Sequence, residues 1–284
     1  KFSRIYLNRL HNQPAADDTV VVIDTLRSFT TAAVALARGA RAVYPVEGIA
    51  AALALVADLP GALSIGAIGG GDPVDGFDFG NSPAQLQQAD LRGRPVVMTT
   101  AAGVRGLQRY RPARQLYAAS LVCAQATAAA IRAAGADEVC FVITGEWVDR
   151  DGDEDVACAD YIEALLSGRA CDPAVFARRV RDSDFGRRFT AGTWPNLPLA
   201  DLDLAADAMV NACLSVDDRN AQIGADTAAR TGQTAAVMGQ FGPFSPFPFL
   251  LQIIFCSSAG EVIPGQGLVE AAVSSRVVIG IDAG

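Results

Sequence analysis

Val20-Val21-Val22-Ile23 is an unbroken β-branched run that stops at an aspartate, Asp24. A run of this kind suits a strand buried on both faces, as in a parallel sheet covered by helices. Helical spacing follows at once. Leu26, Phe29, Ala33, Leu36 and Ala37 fall on one face, and Gly39 is placed to end the helix. The alternation recurs down the chain: strands are predicted near 42–46, 62–65, 95–98, 115–118 and 138–144. Helices are predicted near 48–58, 103–110, 122–134, 157–168, 172–181 and 201–214. Ser82-Pro83 opens another as an N-cap and N1 pair. The pattern predicts an α/β fold.

Two units, 20–39 and 139–168, share a plan of strand, polar turn and helix, as an internal duplication would leave. Beyond about residue 230 the pattern changes, and Phe241-Gly-Pro-Phe-Ser-Pro-Phe-Pro-Phe249 has neither periodicity. The chain therefore divides into an α/β domain over 1–230 and a C-terminal extension over 231–284. The extension is apolar and needs cover, and a second copy of the chain is one way to supply it.

Charge and composition narrow the function. With 23 basic against 31 acidic side chains, a net charge of -8 and no Lys/Arg cluster, nucleic acid and anionic membrane are excluded as partners. The most apolar window, 247–256, is too short to span a bilayer. Residues 1–10 alternate polar and apolar side chains, unlike the apolar block of a signal peptide. The single histidine, His11, reads as a solvated loop residue and rules out chemistry that needs several. Six cysteines, Cys123, Cys140, Cys158, Cys171, Cys213 and Cys256, form no C-x-x-C pair. Four of them sit in apolar or Ala-rich patterns, which points to buried thiols in a reducing, cytoplasmic compartment.

In open α/β sheets, ligands gather where strand ends meet helix N-termini. Four such junctions here are polar: 24–28, 66–81, Thr99-Thr100 and 144–155. Arg27 falls in the opening turn of its helix, where a cation is disfavoured by up to ~1 kcal/mol. It needs an anion, either Asp24 as an ion pair or an anionic ligand. Asp78 and Asn81 flank Gly80 before the capped helix, as turn residues or as polar groups aimed at the edge that holds Asp24. The stretch 149–155 fails the calcium-loop template, but Glu154 and Asp155 suit a helix N-terminus, as surface acids or as magnesium ligands. Cys213 to Arg219 and Asp201-Leu-Asp203 match phosphatase spacings without the strand context those sites require.

The ordered set of motifs resembles the 2-phosphosulfolactate phosphatase family of the coenzyme M pathway. It comprises Val21 to Thr31, Gly76-Phe77-Asp78-Phe79-Gly80-Asn81-Ser82-Pro83, Thr99-Thr100, and Glu154-Asp155 with Cys158-Ala159. The resemblance covers about residues 1–215, and the stretch from Gly76 to Pro83 is its most specific part. It implies a magnesium-dependent hydrolase of a small anionic phosphorylated substrate, releasing sulfolactate and phosphate, on a three-layer α/β/α fold of two similar intertwined halves. It carries over Asp24, Arg27, Asp78, Asn81, Ser82, Thr99, Thr100, Glu154 and Asp155, and side-chain chemistry then assigns Asp24 and Asp78 as catalytic and Arg27, Ser28, Asn81, Ser82, Thr99 and Thr100 as substrate-binding. Asp24, Glu154 and Asp155 would hold Mg2+. Two segments depart from the family. Ala67-Ile68 replaces a Glu-Arg pair, and Ala101-Ala102-Gly103-Val104 replaces Thr-Asn-Gly-Thr. These departures leave open a descendant that binds a small anion without turnover, and a phosphatase acting on an acid that lacks the sulfonate.

Overall fold

A computed structural model describes residues 1–8, 19–69 and 71–207, together with the main chain of two strands at 212–217 and 250–255. His11, Gly70 and the segment 241–249 lie outside the described residues. Of the predicted extension, only 250–255 is described.

The sheet has two parallel halves. One runs in the order β1 (Phe2–Tyr6), β9 (Val139–Ile143), β2 (Thr19–Ile23), β8 (Gln115–Ala119). The other runs β3 (Ala42–Pro45), β7 (Pro95–Thr99), β4 (Leu63–Ile68), β6 (Phe79–Gly80), with the short β5 (Asp72–Pro73) antiparallel to β4. An antiparallel pair, β10 (Ala212–Asp217) and β11 (Leu250–Phe255), joins them, β10 beside β8 and β11 beside β3. The chain leaves the first half after β2, crosses by α1 (Ser28–Ala37), builds the second half, and returns by α4 (Gly103–Arg109). The second half is thus inserted within the first, which is how the two are intertwined.

Burial explains the β-branched run. Val20 through Ile23 are completely buried, so both faces of β2 are covered and an alternating pattern would have placed polar atoms in the core. Gly106 lets α4 lie close on this strand, because a Cβ there would stand 2.6 Å from Val22 Cγ1. In β3, Val43 joins the large core, while Ala42 and Tyr44 join a small second cluster with Val46, Ala52 and Val97. That cluster lies under α2 (Ile49–Asp58). The remaining helices are α3 (Pro83–Leu86), α5 (Ala124–Ala133), α6 (Asp153–Leu166), α7 (Pro173–Asp182), α8 (Gly186–Ala191) and α9 (Leu199–Ala205).

One predicted helix is corrected. The expected element over 201–214 ends at Ala205, and Ala212–Asp217 is a strand. The later residues alternate, with Ala212, Leu214 and Val216 interleaved by Ser215 and Asp217, a period of two that the Ala-rich start of the segment masks. Helix α8 lies between two predicted helices, in polypeptide for which no element is predicted. Among the described residues, no helix is long and apolar enough to cross a membrane. Cys123, Cys140 and Cys158 are buried free thiols and Cys171 is half-buried. Burial pushes the Cys123 and Cys158 thiols up, the environment of structural rather than reactive cysteines.

Candidate active site

Asp24 follows the last residue of β2, where the sheet main chain runs out and the N-terminus of α1 begins. Its Oδ1 accepts the Ser28 amide at 3.0 Å, and its Oδ2 accepts Ser28 Oγ at 2.6 Å and the Gly103 amide at 2.8 Å. The carboxylate therefore caps α1 and meets the first residue of α4, so two helix N-termini converge on one buried anion. Gly103 is required by this approach, since a Cβ would stand 2.7 Å from Asp24 Oδ2. Ser28 Oγ lies 3.0 Å from Thr100 Oγ1, which extends the hydrogen-bonded group to the end of β7.

Arg27 has an anion, and it is not Asp24. Its Nη1 donates to Asp201 Oδ2 at 2.7 Å and to the Asn196 carbonyl at 2.9 Å, while Nη2 reaches the Gly71 carbonyl at 3.3 Å. Arg27 and Asp201 are 3% and 0% exposed. The other oxygen of Asp201 accepts Ser82 Oγ at 2.7 Å and the Ala84 amide at 3.0 Å. One carboxylate thus ties the end of β2 to the start of α3. Sequence reasoning met Asp201 only in an Asp201-Leu-Asp203 spacing that it set aside, and the unmet need of Arg27 for a counter-ion was the signal for its place here.

Glu154 and Asp155 stand in the first turn of α6, both 1% exposed, and their surroundings differ. Asp155 Oδ1 accepts the Thr25 amide at 2.8 Å, and Oδ2 accepts the amides of Thr144 at 3.1 Å and Gly145 at 2.7 Å. It binds the ends of β2 and β9 together. Burial raises its pKa, and the charges of Glu154 and Asp24 push the same way, against those amide donors. Glu154 has no hydrogen bond to either carboxylate oxygen. The nearby Ser183 hydroxyl donates instead to the Val180 carbonyl at 3.0 Å. Burial pushes the Glu154 pKa up to about 7, opposed by the charge of Arg150.

A cleft of about 70 Å3 gathers Asp24, Arg27, Ser28, Asn81 and Thr100, and adds Arg150 and Phe185, which the sequence did not single out. Ala67, Ala101 and Ala102 also line it, so the family departures give the cleft an apolar side. Asn81 Oδ1 is buried there without a partner. The other expected residues lie elsewhere. Asp78 turns toward Ser64, accepting its amide at 2.8 Å and its hydroxyl at 2.7 Å, and lines a separate open depression with Pro73, Phe77 and Gln85. Ser82 caps α3 and serves Asp201. Thr99 is buried at the end of β7, outside the cleft lining.

Among the described residues, no three His, Cys, Asp or Glu side chains form a metal-holding group. Magnesium is usually held by only one or two carboxylates, with waters and substrate phosphate completing its shell. The two orphaned oxygens of buried Glu154 fit that requirement. Asp155 fits less well, because its lone pairs are largely taken by main-chain amides.

The sequence profile described as 2-phosphosulpholactate phosphatase matches residues 5–217. A protein of Carboxydothermus hydrogenoformans named probable 2-phosphosulfolactate phosphatase is 39% identical over 163 residues, covering 57% of this chain and 65% of that one. Proteins of the same name from Gloeobacter violaceus and Deinococcus radiodurans are each 36% identical, over 58% of this chain and 70% of theirs. The matched stretch spans roughly two thirds of each relative's length. Residues 5–217, the stretch matched by the profile, include every residue that lines the cleft around Asp24, and the chain belongs to the 2-phosphosulpholactate phosphatase family.

Proposed function

We propose that the protein is a phosphatase of small phosphorylated acids, with 2-phosphosulfolactate as the leading substrate and magnesium as cofactor. The observation that carries this reading is Asp24, a buried carboxylate held by three donors at the base of a cleft shared with Ser28, Thr100 and Asn81. Oδ2 accepts two hydrogen bonds and Oδ1 one, which leaves Oδ1 a lone pair for the reacting phosphoryl group. A carboxylate fixed in this way needs no reorganisation as charge moves, and that is where electrostatic catalysis gains most. Thr100 and Asn81 supply a hydroxyl and an amide to orient the phosphoryl oxygens, while the Ser28 hydroxyl holds Asp24. Glu154 is the carboxylate assigned to the ion, and Asp155 ties the first turn of α6, which carries Glu154, to the ends of β2 and β9 beside Asp24. Glu154 would hold a magnesium ion, whose positive charge would be offered to the phosphoryl oxygens. The unpaired thiols support a reducing, cytoplasmic setting.

The test is phosphate release from 2-phosphosulfolactate by the full chain, with magnesium and with chelator. Turnover is expected only with the ion, and Asp24→Asn is expected to lose about 10^3-fold, roughly 4 kcal/mol of barrier. Turnover that survives both treatments would overturn the assignment. A second reading, binding without turnover, is favoured by the apolar side made of Ala67, Ala101 and Ala102. It is selected if the protein binds sulfolactate by calorimetry and releases no phosphate.

A further inference from the structure

We infer that Arg150 is the anion-binding residue of this cleft and takes the acid group of the ligand that is not transferred, the sulfonate or carboxylate. Naming that group rests on the phosphatase reading above; the anion site itself does not.

Two arginines line the cleft, and they are in opposite states. The Arg27 guanidinium is neutralised by Asp201 and capped by two carbonyls. Arg150 has no side-chain hydrogen bond or ion pair with any described residue, and its Nε is buried without a partner. Arg150 as a whole is half-buried, so beside the buried, unpaired Nε the rest of its guanidinium keeps donors that face the open cleft.

The surroundings aim this guanidinium while leaving its donors free. Its carbon stands 4.6 Å from the centroid of the Phe185 ring. Stacking on a ring uses the face of the guanidinium and leaves the N–H edge for paired oxygens, the geometry in which arginine binds oxyanions. The main chain at Arg150 is fixed by a tight turn: its amide and carbonyl pair with Trp147 at 3.3 and 3.0 Å. The turn is pinned in turn by Arg188, which donates to Asp149 Oδ2 at 2.6 Å and also lies over Phe185. Arg188 therefore has its own carboxylate, and Arg150 is left as the cation with donors to offer.

Arg150 is a separate station from the reacting end. Asp24, Ser28 and Thr100 are joined by hydrogen bonds, and none of them engages Arg150. Ala67, Ala101 and Ala102 offer no charged or polar side chain. A ligand with two acid groups would place its phosphoryl at Asp24 and the other group at Arg150.

The experiment is calorimetric titration of the full chain with sulfolactate, which has no phosphoryl group, using wild type, Arg150→Met and Arg150→Lys. Arg150→Met is expected to weaken sulfolactate about 10-fold or more, with a smaller effect on inorganic phosphate. Arg150→Lys should recover part of the loss, since lysine restores the charge but not the paired donors. With 2-phosphosulfolactate, KM is expected to rise more than kcat falls. Unfolding midpoints should agree across the three proteins. If wild type does not bind sulfolactate, or Arg150→Met binds it as well as wild type, the inference is overturned. Arg150-dependent binding without phosphate release would leave the inference standing and remove the phosphatase reading. Turnover with Arg150-independent binding would do the reverse.

Discussion

The helices that cover the two halves of the sheet are themselves buried to different depths. In the half built on β2 and β9, α6 buries eight of its 14 residues, including two carboxylates. In the inserted half, α2 buries Ala52 alone among its ten residues. The depth of cover decides what each half can contribute to the cleft. A sealed half can force Asp24, Glu154 and Asp155 into one poorly solvated region, where main-chain amides and helix ends must stabilise them. The thinner half cannot hold bare charge in that way, and its strand ends bring only neutral groups, Ala67, Asn81, Thr100, Ala101 and Ala102. Charge at the site therefore comes from one half and shape from the other.

The seam between the halves is the most sensitive place to test this division. Asp201 neutralises Arg27 from the first half and holds Ser82 and Ala84 at the entry to α3 in the second. Asp201→Ala would leave a guanidinium that is 3% exposed without its anion. Removing one partner of such a buried pair costs about 3–5 kcal/mol. Denaturant unfolding should show that loss. A loss below about 1 kcal/mol, within the range of an exposed pair, would mean the halves do not depend on this carboxylate.

The next effect should appear as a pH dependence confined to the sealed half. Burial raises the Glu154 pKa from the ordinary 4.5 to about 7, so the folded state holds that proton more tightly than the unfolded chain. Its contribution to stability is fully present below pH 4.5 and is lost as pH rises through 7, roughly 3 kcal/mol in all. In chelator, Glu154→Gln should remove that slope, gaining about 3 kcal/mol on wild type between pH 4 and pH 8.5. Parallel pH profiles for the two proteins would show that Glu154 is better solvated than the sealed half allows. Magnesium added at pH 8.5 should stabilise wild type and not the variant, since ionised Glu154 is the assigned ligand.

The sealed half was also the more legible in the sequence. Four β-branched residues ending at Asp24 specify a buried strand with an acid at its carboxyl end, and neighbouring residues complete that unit. Ser82-Pro83 announces its helix equally locally, because a cap and its amide lie three residues apart. The parts that were not legible depend on distant partners. Arg27 showed the need for an anion, but Asp201 lies 174 residues away, and its Asp201-Leu-Asp203 spacing does not mark it as that anion. Arg150 stood among Asp149, Asp151 and Asp153, and only folding shows that it stacks on Phe185 and pairs with none of them. Asp78 matched a specific motif, yet its carboxylate closes a turn on Ser64. A motif fixes where the main chain goes more firmly than where a carboxylate points.

The smallest effect should come from the outer helix of the inserted half. Leu53 on α2 is 43% exposed, so truncation removes little buried area and leaves almost no cavity. Alanine is also the better helix former. Leu53→Ala should therefore cost under about 1 kcal/mol, against the ~2–5 kcal/mol of a leucine deleted from a packed core. Thermal unfolding of this variant measures how thin the cover really is. A core-like loss would mean that α2 is packed as deeply as α6. The second half could then have held charge, and the neutral side of the cleft would owe nothing to shallow burial. A loss near zero places the cause in the fold: the half with little to bury its helix contributes surface that recognises shape, while the carboxylates stay where the chain can seal them.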